Sequence, residues 1–195
     1  MATFILDTRN QKDDFVEVGL RNLGHTIIRS KLPFGDVALS TDILNCIDLK
    51  SSGGGLLELA GNICSKDHAR LKSEIVKCLA ANGKITFLIF ESGVHCLEDV
   101  KFWKVPTYKH NQWGDVYYYM GKRIKKSDLQ EGVPYDKRHV MLHNKGEPMT
   151  KIAPEVLYKA LKTMSEPNHY AKGTKVSFVF TTKYKCGKAI EEILL

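Results

Sequence analysis

Apolar and polar positions along the first ninety residues fall into two alternating rhythms. Short apolar runs mark strands, and longer stretches with apolar residues three and four apart mark helices. Phe4 to Leu6 is a run of the first kind and closes on Asp7. Over Asp13 to Leu23 the apolar positions 15, 16, 18, 20 and 23 follow helical spacing, with acids in the first turn and Gly24 as a stop. His25 to Ser30 reads as a second strand. Val37 to Leu39 and Ile43 to Leu49 flank a Ser-Thr-Asp turn and predict a hairpin. Gly53-Gly54-Gly55 leads into a helix over Leu56 to Ile63. Leu71, Ile75, Val76, Cys78 and Leu79 form the buried stripe of a longer helix, His68 to Ala81, ended by Asn82-Gly83. Ile85 to Phe90 is nearly continuous apolar sequence, the mark of a central strand covered on both faces, and Glu91 ends it.

The C-terminal stretch has the same style. Pro154 to Met164 suits a helix with proline in its first turn. Val176 to Phe180 is a strand, and Tyr184 to Leu194 a last helix with Ala189, Ile190, Ile193 and Leu194 turned inward. This alternation predicts an α/β protein with a central mixed sheet flanked by helices. Residues 101–151 break the rhythm. Tyr108, Trp113, Tyr117, Tyr118, Tyr119 and Tyr135 stand there among lysines, and from 104 to 151 ten Lys/Arg face five acids. The expectation is one domain over 1–195, with 101–151 as a basic aromatic insertion.

Charge sharpens the choice of partner. The chain carries a formal +7 and a pI of about 9.1, which suits a polyanion. No apolar run approaches the roughly 20 residues of a membrane span. The start lacks a basic region before its short apolar stretch, so a cytoplasmic protein is expected, its compactness suggesting a microbial or phage source. Five cysteines, at 46, 64, 78, 96 and 186, form no CxxC pair, which argues for reduced thiols packed as small apolar residues.

The candidate chemistry lies around the predicted hairpin. Asp48 and Lys50 are two apart on one strand, so they share a face. Asp36, after Gly35, can lie beside them. Two carboxylates suit a hard cation such as Mg²⁺ or Mn²⁺, which keeps several waters, and a lysine beside them suits a phosphodiester under attack. Asp7 and Glu91, each closing a core strand, place two more acids where a site at a sheet edge would have them.

Taken in order, Ile5-Leu6-Asp7-Thr8-Arg9, Leu32-Pro33-Phe34-Gly35-Asp36-Val37, Ile47-Asp48-Leu49-Lys50-Ser51, Arg70-Leu71 and Leu88-Ile89-Phe90-Glu91 resemble a known pattern. It is that of the nuclease domain of the XPF/Hef/Mus group of structure-specific DNA endonucleases, which has a restriction-endonuclease-like fold. The match spans residues 3 to 91, and 153 to 194 are similar to that domain's closing helix–strand–helix. The resemblance implies a Mg²⁺- or Mn²⁺-dependent endonuclease. Its DNA would be branched or flapped (flaps, forks, Holliday-type junctions) in replication, recombination or repair, and it would often act as a homodimer. It also implies Asp36 and Asp48 as metal ligands, Lys50 as catalytic lysine, Asp7 and Arg9 as further catalytic-site residues, and Glu91 and Arg70 in support. The sequence departs from the group at Leu49, where an arginine is usual, and at Gly54 and Asn10, where acids are; the group's tandem helix-hairpin-helix is not expected here. Glu58 or Glu17 could restore a missing acid.

In the insertion, Lys122, Arg123, Lys125 and Lys126 would meet phosphates, and Tyr117 and Tyr119 would stack on unpaired bases; the alternative is that its aromatics form a small core of their own. Two other functions are compatible with the residues: a catalytically inactive DNA-binding or dimerisation module of the same fold, and an interaction or inhibitor protein that uses the basic insertion. His139 and His143 have the spacing of zinc ligands on a helix, without the glutamate that would follow the first. Gly187-Lys188-Ala189 lacks the rest of a phosphate loop.

Overall fold

The apolar runs assemble into one sheet. In a computed structural model the described residues are 1–10, 13–64, 67–109, 112–129, 132, 134–143, 146–172 and 174–195, with the backbone alone at 112 and 141–143. The strands are β1 (Thr3–Asp7), β2 (Thr26–Ser30), β3 (Val37–Leu39), β4 (Asp42–Lys50), β5 (Lys84–Phe90) and, last in the chain, β9 (Ser177–Thr181). Their order across the sheet is β2-β1-β3-β4-β5-β9. Only β3 runs against its neighbours, so the sheet is mixed. β1, β4, β5 and β9 therefore all deliver their C-terminal ends to one edge.

Helices cover both faces. α1 (Asp14–Asn22) and α5 (Cys186–Leu194) lie on one. Ile47 and Leu49 of β4 and Leu88 and Phe90 of β5 pack there against Val16, Leu20 and Ile190. α2 (Gly55–Cys64) and α3 (His68–Ala80) lie on the other, and α4 (Pro154–Ser165) packs against β9. Strand alternation then turns Cys46, Asp48 and Lys50 toward α2 and α3. Each fully buried Leu, Ile or Phe in these layers contributes about 1.5–3 kcal/mol. α1 and α5 approach backbone to backbone: a Cβ on Gly187 would lie 2.7 Å from the Gly19 carbonyl.

Small differences from the sequence expectation have local causes. The final helix begins at Cys186 because Lys183–Lys185 form a 3-10 turn, in which the Lys185 amide donates to Thr182 O. Val76, expected in the buried stripe of α3, is 40% exposed, since Leu71, Ile75, Cys78 and Leu79 already fill the inward face. Cys46, Cys78 and Cys186 are buried free thiols as expected, whereas Cys64 and Cys96 are exposed.

The chain divides into two compact units, 1–104 with 152–195, and 105–151. The second is a three-stranded antiparallel sheet in the order β7-β6-β8, made of β6 (Gln112–Tyr119), β7 (Lys122–Ile124) and β8 (Asp136–His143). Its two ends are tied by backbone bonds from Tyr108 to Glu147 and from Met149 to Pro106. Among its described residues only Val116 and Tyr117 are buried. No helix among the described residues is long and apolar enough to cross a membrane.

Candidate active site

Gly35 makes the site's geometry. Its φ is +61°, and a Cβ there would come within 2.8 Å of the Ile47 carbonyl, so only glycine lets the chain pass over β4. The next residue is thereby pinned. The Asp36 amide donates to Ile47 O at 2.7 Å, its carbonyl accepts from Asp7 N at 2.8 Å, and its Oδ2 accepts from Leu49 N at 2.8 Å. Asp48 and Lys50 rise beside it from the same strand. Both are buried, and the Lys50 ammonium is ion-paired with Asp48 Oδ1. Within the described residues this ammonium is the partner of the buried Asp48 Oδ1. Lys50 Nζ also lies 5.5 Å from the centre of the Phe87 ring.

These three residues open into a cleft of about 620 Å³. Arg9 and Asn10 line it at the end of β1, Glu58 lines it from α2, and Arg70, Ser73, Glu74 and Lys77 from one stripe of α3. Burial, then the neighbouring Asp48 carboxylate, pushes the Asp36 pKa up to about 7, against the pull of the Leu49 amide, Lys50 and Asn10. Burial works against the Lys50 ammonium, yet Asp48, with Glu58 and Asp36 behind it, holds its pKa above the ordinary lysine value.

Asp7 sits behind the cleft. Its Oδ1 accepts from Arg9 N and Nε at 2.7 and 2.9 Å, and its Oδ2 from Arg9 Nη2 and Leu32 N at 2.6 and 2.9 Å. Burial opposes its charge, but the Arg9 guanidinium and these amides hold its pKa below the ordinary range. With both oxygens used twice, Asp7 clamps the Leu32–Asp36 loop and aims Arg9, which also donates to Leu32 O. Glu91 stands apart from the cleft. Its Oε2 accepts from Leu56 N at 3.1 Å at the start of α2, where a carboxylate offsets the helix dipole. Glu58 is the acid that reaches the site: its Oε2 accepts from Ser51 N and Ser52 N, and its Oε1 lies 3.9 Å from Lys50. Glu17 is instead held by Arg21 and Arg29.

The donor set suits a hard divalent cation. A carboxyl pushed up to about 7 by burial and by the neighbouring Asp48 carboxylate is relieved by a positive ion beside the two. Among the described residues no third His, Cys, Asp or Glu completes a metal cluster, so water would fill the remaining positions, as Mg²⁺ prefers.

Asn10 was singled out from sequence only as a departure from the group, and Ser73, Glu74 and Lys77 not at all. The signal for the last three was present: 70, 73, 74 and 77 are one polar stripe at helical spacing.

In the second unit, Lys122, Arg123, Lys125 and Lys126 are all exposed on or just after β7. Tyr119 is 41% exposed, but Tyr117 is buried, its ring 5.6 Å from Tyr135, and offers no free face to a base. His139 and His143 lie on a strand, where four residues span about 13 Å, too far for one zinc ion. His139 pairs with Asp115 at 3.1 Å and stacks on Trp113; the His143 side chain lies outside the described residues.

The central mixed sheet, flanked by helices and carrying this cleft, is a restriction-endonuclease-like fold. Among solved structures the chain is similar to XPF from Aeropyrum pernix, with a TM-score of 0.52 and 14% identity. The likeness covers 98% of this chain and 62% of that one, so this chain spans less than two thirds of its length. No protein-family profile matches, and no curated protein matches by sequence.

Proposed function

We propose that the protein is a divalent-metal-dependent endonuclease that cuts branched or flapped DNA in replication, recombination or repair. The observation that carries this reading is the convergence of Asp36, Asp48 and Lys50 in one open cleft on an XPF-like fold. Asp36 and Asp48 hold Mg²⁺ or Mn²⁺. When bound, the metal supplies Lewis acidity toward the phosphodiester and lowers the pKa of water. Lys50, relieved of Asp48, neutralises charge on the reacting phosphate. Arg9, Arg70 and Lys77 face the neighbouring phosphates. Asp7 positions Arg9 and the loop that carries Asp36. The second unit meets the DNA through Lys122, Arg123, Lys125, Lys126 and Tyr119. The resemblance to the XPF/Hef/Mus group further implies that it would act as a homodimer.

The test uses labelled flap, fork and four-way junction DNA with Mg²⁺, Mn²⁺ or chelator, beside Asp48→Ala. Losing an outer partner of a metal site costs roughly 10–100-fold, so losing a ligand should cost more than that. Metal-dependent cutting that disappears in the variant supports the proposal; cutting that persists in Asp48→Ala sinks the assignment of the site. The closed Lys50–Asp48 pair favours a second reading, a non-cutting DNA-binding module. Tight junction binding without cutting in either metal would establish that instead.

A further inference from the structure

The turn between β6 and β7 runs against local preference. Tyr119 pairs with Lys122 across the ladder, so Met120 and Gly121 form the two-residue turn. Their φ values are +47° and +77°, as in a type I′ hairpin. Asn, Asp or Gly occupies the first of these positions readily, whereas a long unbranched side chain is strained there. The chain nevertheless places methionine at that point, 84% exposed, with Tyr119 beside it at 41%. At that exposure the methionine adds little packing, so the fold does not account for the choice.

Its surroundings are cationic. Lys122, Arg123, Lys125 and Lys126 follow within six residues, all exposed. The acids near it are engaged elsewhere: Asp115 with Lys137 and His139, Asp136 with Arg138, and Asp128 with the Lys125 amide at 3.3 Å and Ser127. A short apolar tip ringed by positive charge matches nucleic acid better than a bilayer. One methionine and half a tyrosine bury too little area to anchor a protein to lipid. A single apolar side chain is enough to enter a base step while cations hold the flanking phosphates.

We infer that the Tyr119–Met120 tip is a wedge that enters the base step at a DNA branch point, with Lys122 and Arg123 on the adjoining phosphates. A branch is the favoured place because its bases are already partly unstacked and cost least to open. This inference rests on the nuclease reading and names how the substrate is recognised.

A fluorescent adenine analogue placed either at the branch of a flap or in its duplex arm reads base unstacking on addition of the full chain. A several-fold rise at the branch and none in the arm is expected. Met120→Asn should abolish the rise. Asn tolerates positive φ, so this variant should melt at the same or a higher temperature than the parent, and a lost signal then cannot be ascribed to a lost fold. Met120→Leu should keep the rise. Lys122→Ala with Arg123→Ala should weaken binding several-fold and lower its salt dependence.

A full rise with Met120→Asn overturns the wedge, as does binding and cutting of the flap with no rise at all; both leave the nuclease reading intact. Failure to bind any DNA at low salt overturns both. Met120-dependent binding to phosphatidylserine vesicles, with no rise on DNA, overturns the wedge in favour of a lipid contact.

Discussion

The two sheets use opposite means of holding together. In the six-stranded sheet, β4 and β5 are buried along their C-terminal halves, and helices close both faces. In the three-stranded sheet the residues that touch are mostly exposed: Trp113 on His139, Arg138 over Tyr118, Lys137 on Asp115. The first gains its stability from apolar area removed from water. The second relies, among its described residues, on a ladder, surface pairs and the buried side chains of Val116 and Tyr117. A rigid frame suits carboxylates that must stay fixed, and a lightly held one suits a surface that meets a variable partner.

Breaking the first sheet should have the largest effect. Leu88→Ala leaves a cavity in a fully buried layer and should cost about 2–5 kcal/mol. At roughly 2–4 °C per kcal/mol for a chain of this size, the melting temperature falls by about 4–20 °C. Tyr117→Ala should leave that main transition in place while amides of β6 and β8 lose protection from hydrogen exchange. If Tyr117→Ala lowers the main melting temperature as much as Leu88→Ala does, the two units unfold together and the contrast fails.

Gly35→Ala comes next. A side chain at φ +61° facing the Ile47 carbonyl at 2.8 Å costs about 1–3 kcal/mol. Because Gly35 sets Asp36, the Mg²⁺ binding proposed for Asp36 and Asp48, followed by calorimetry, should weaken by more than the stability loss alone accounts for. Equal metal binding in Gly35→Ala and the parent would separate the turn from the site.

Acid tests the clamp at Asp7. Its folded pKa is lowered, so its contribution is fully present above the ordinary carboxylate pKa of about 3.9 and is lost as pH falls through the folded value. Asp7→Asn should therefore cost about 1–3 kcal/mol at neutral pH, and its denaturation curve should converge on the parent's toward acid pH. A constant gap between parent and variant from pH 7 down to pH 2 would show that the charge of Asp7 is not what holds the loop.

Legibility from sequence followed the same divide. β1, β4, β5 and the helices that cover them were readable because burial imposes periodicity, and Asp48 and Lys50 came out on one face because strand alternation leaves no other arrangement. The Asp7 clamp was less accessible, since one of its four bonds depends on where Leu32 lies, 25 residues away. Glu58 and Glu17 were equal candidates in sequence; only the α2 start beside Ser51 and Ser52 decides between them. The strands of 105–151 were not assigned, because exposed tyrosines and lysines alternate there without an apolar face to mark one side. Tyr117 looked like Tyr119, and only its contact with Tyr135 tells them apart.

The smallest effect belongs to the surface pairs of the second sheet. Hydrogen bonds from Lys137, then His139, hold the Asp115 pKa below the ordinary value, yet all three side chains are substantially exposed. Water and salt screen such contacts, and two long side chains lose rotamer freedom in making them. Asp115→Asn should leave the melting temperature unchanged within error at both low and high salt. On the proposed function its effect should appear instead in recognition: removing an acid beside Lys137 makes this face more basic, so the proposed DNA binding should tighten slightly at low salt and grow steeper in its salt dependence. A clear drop in melting temperature would mean that this sheet depends on its ion pairs as the larger one depends on its core, and the contrast between the two would have to be abandoned.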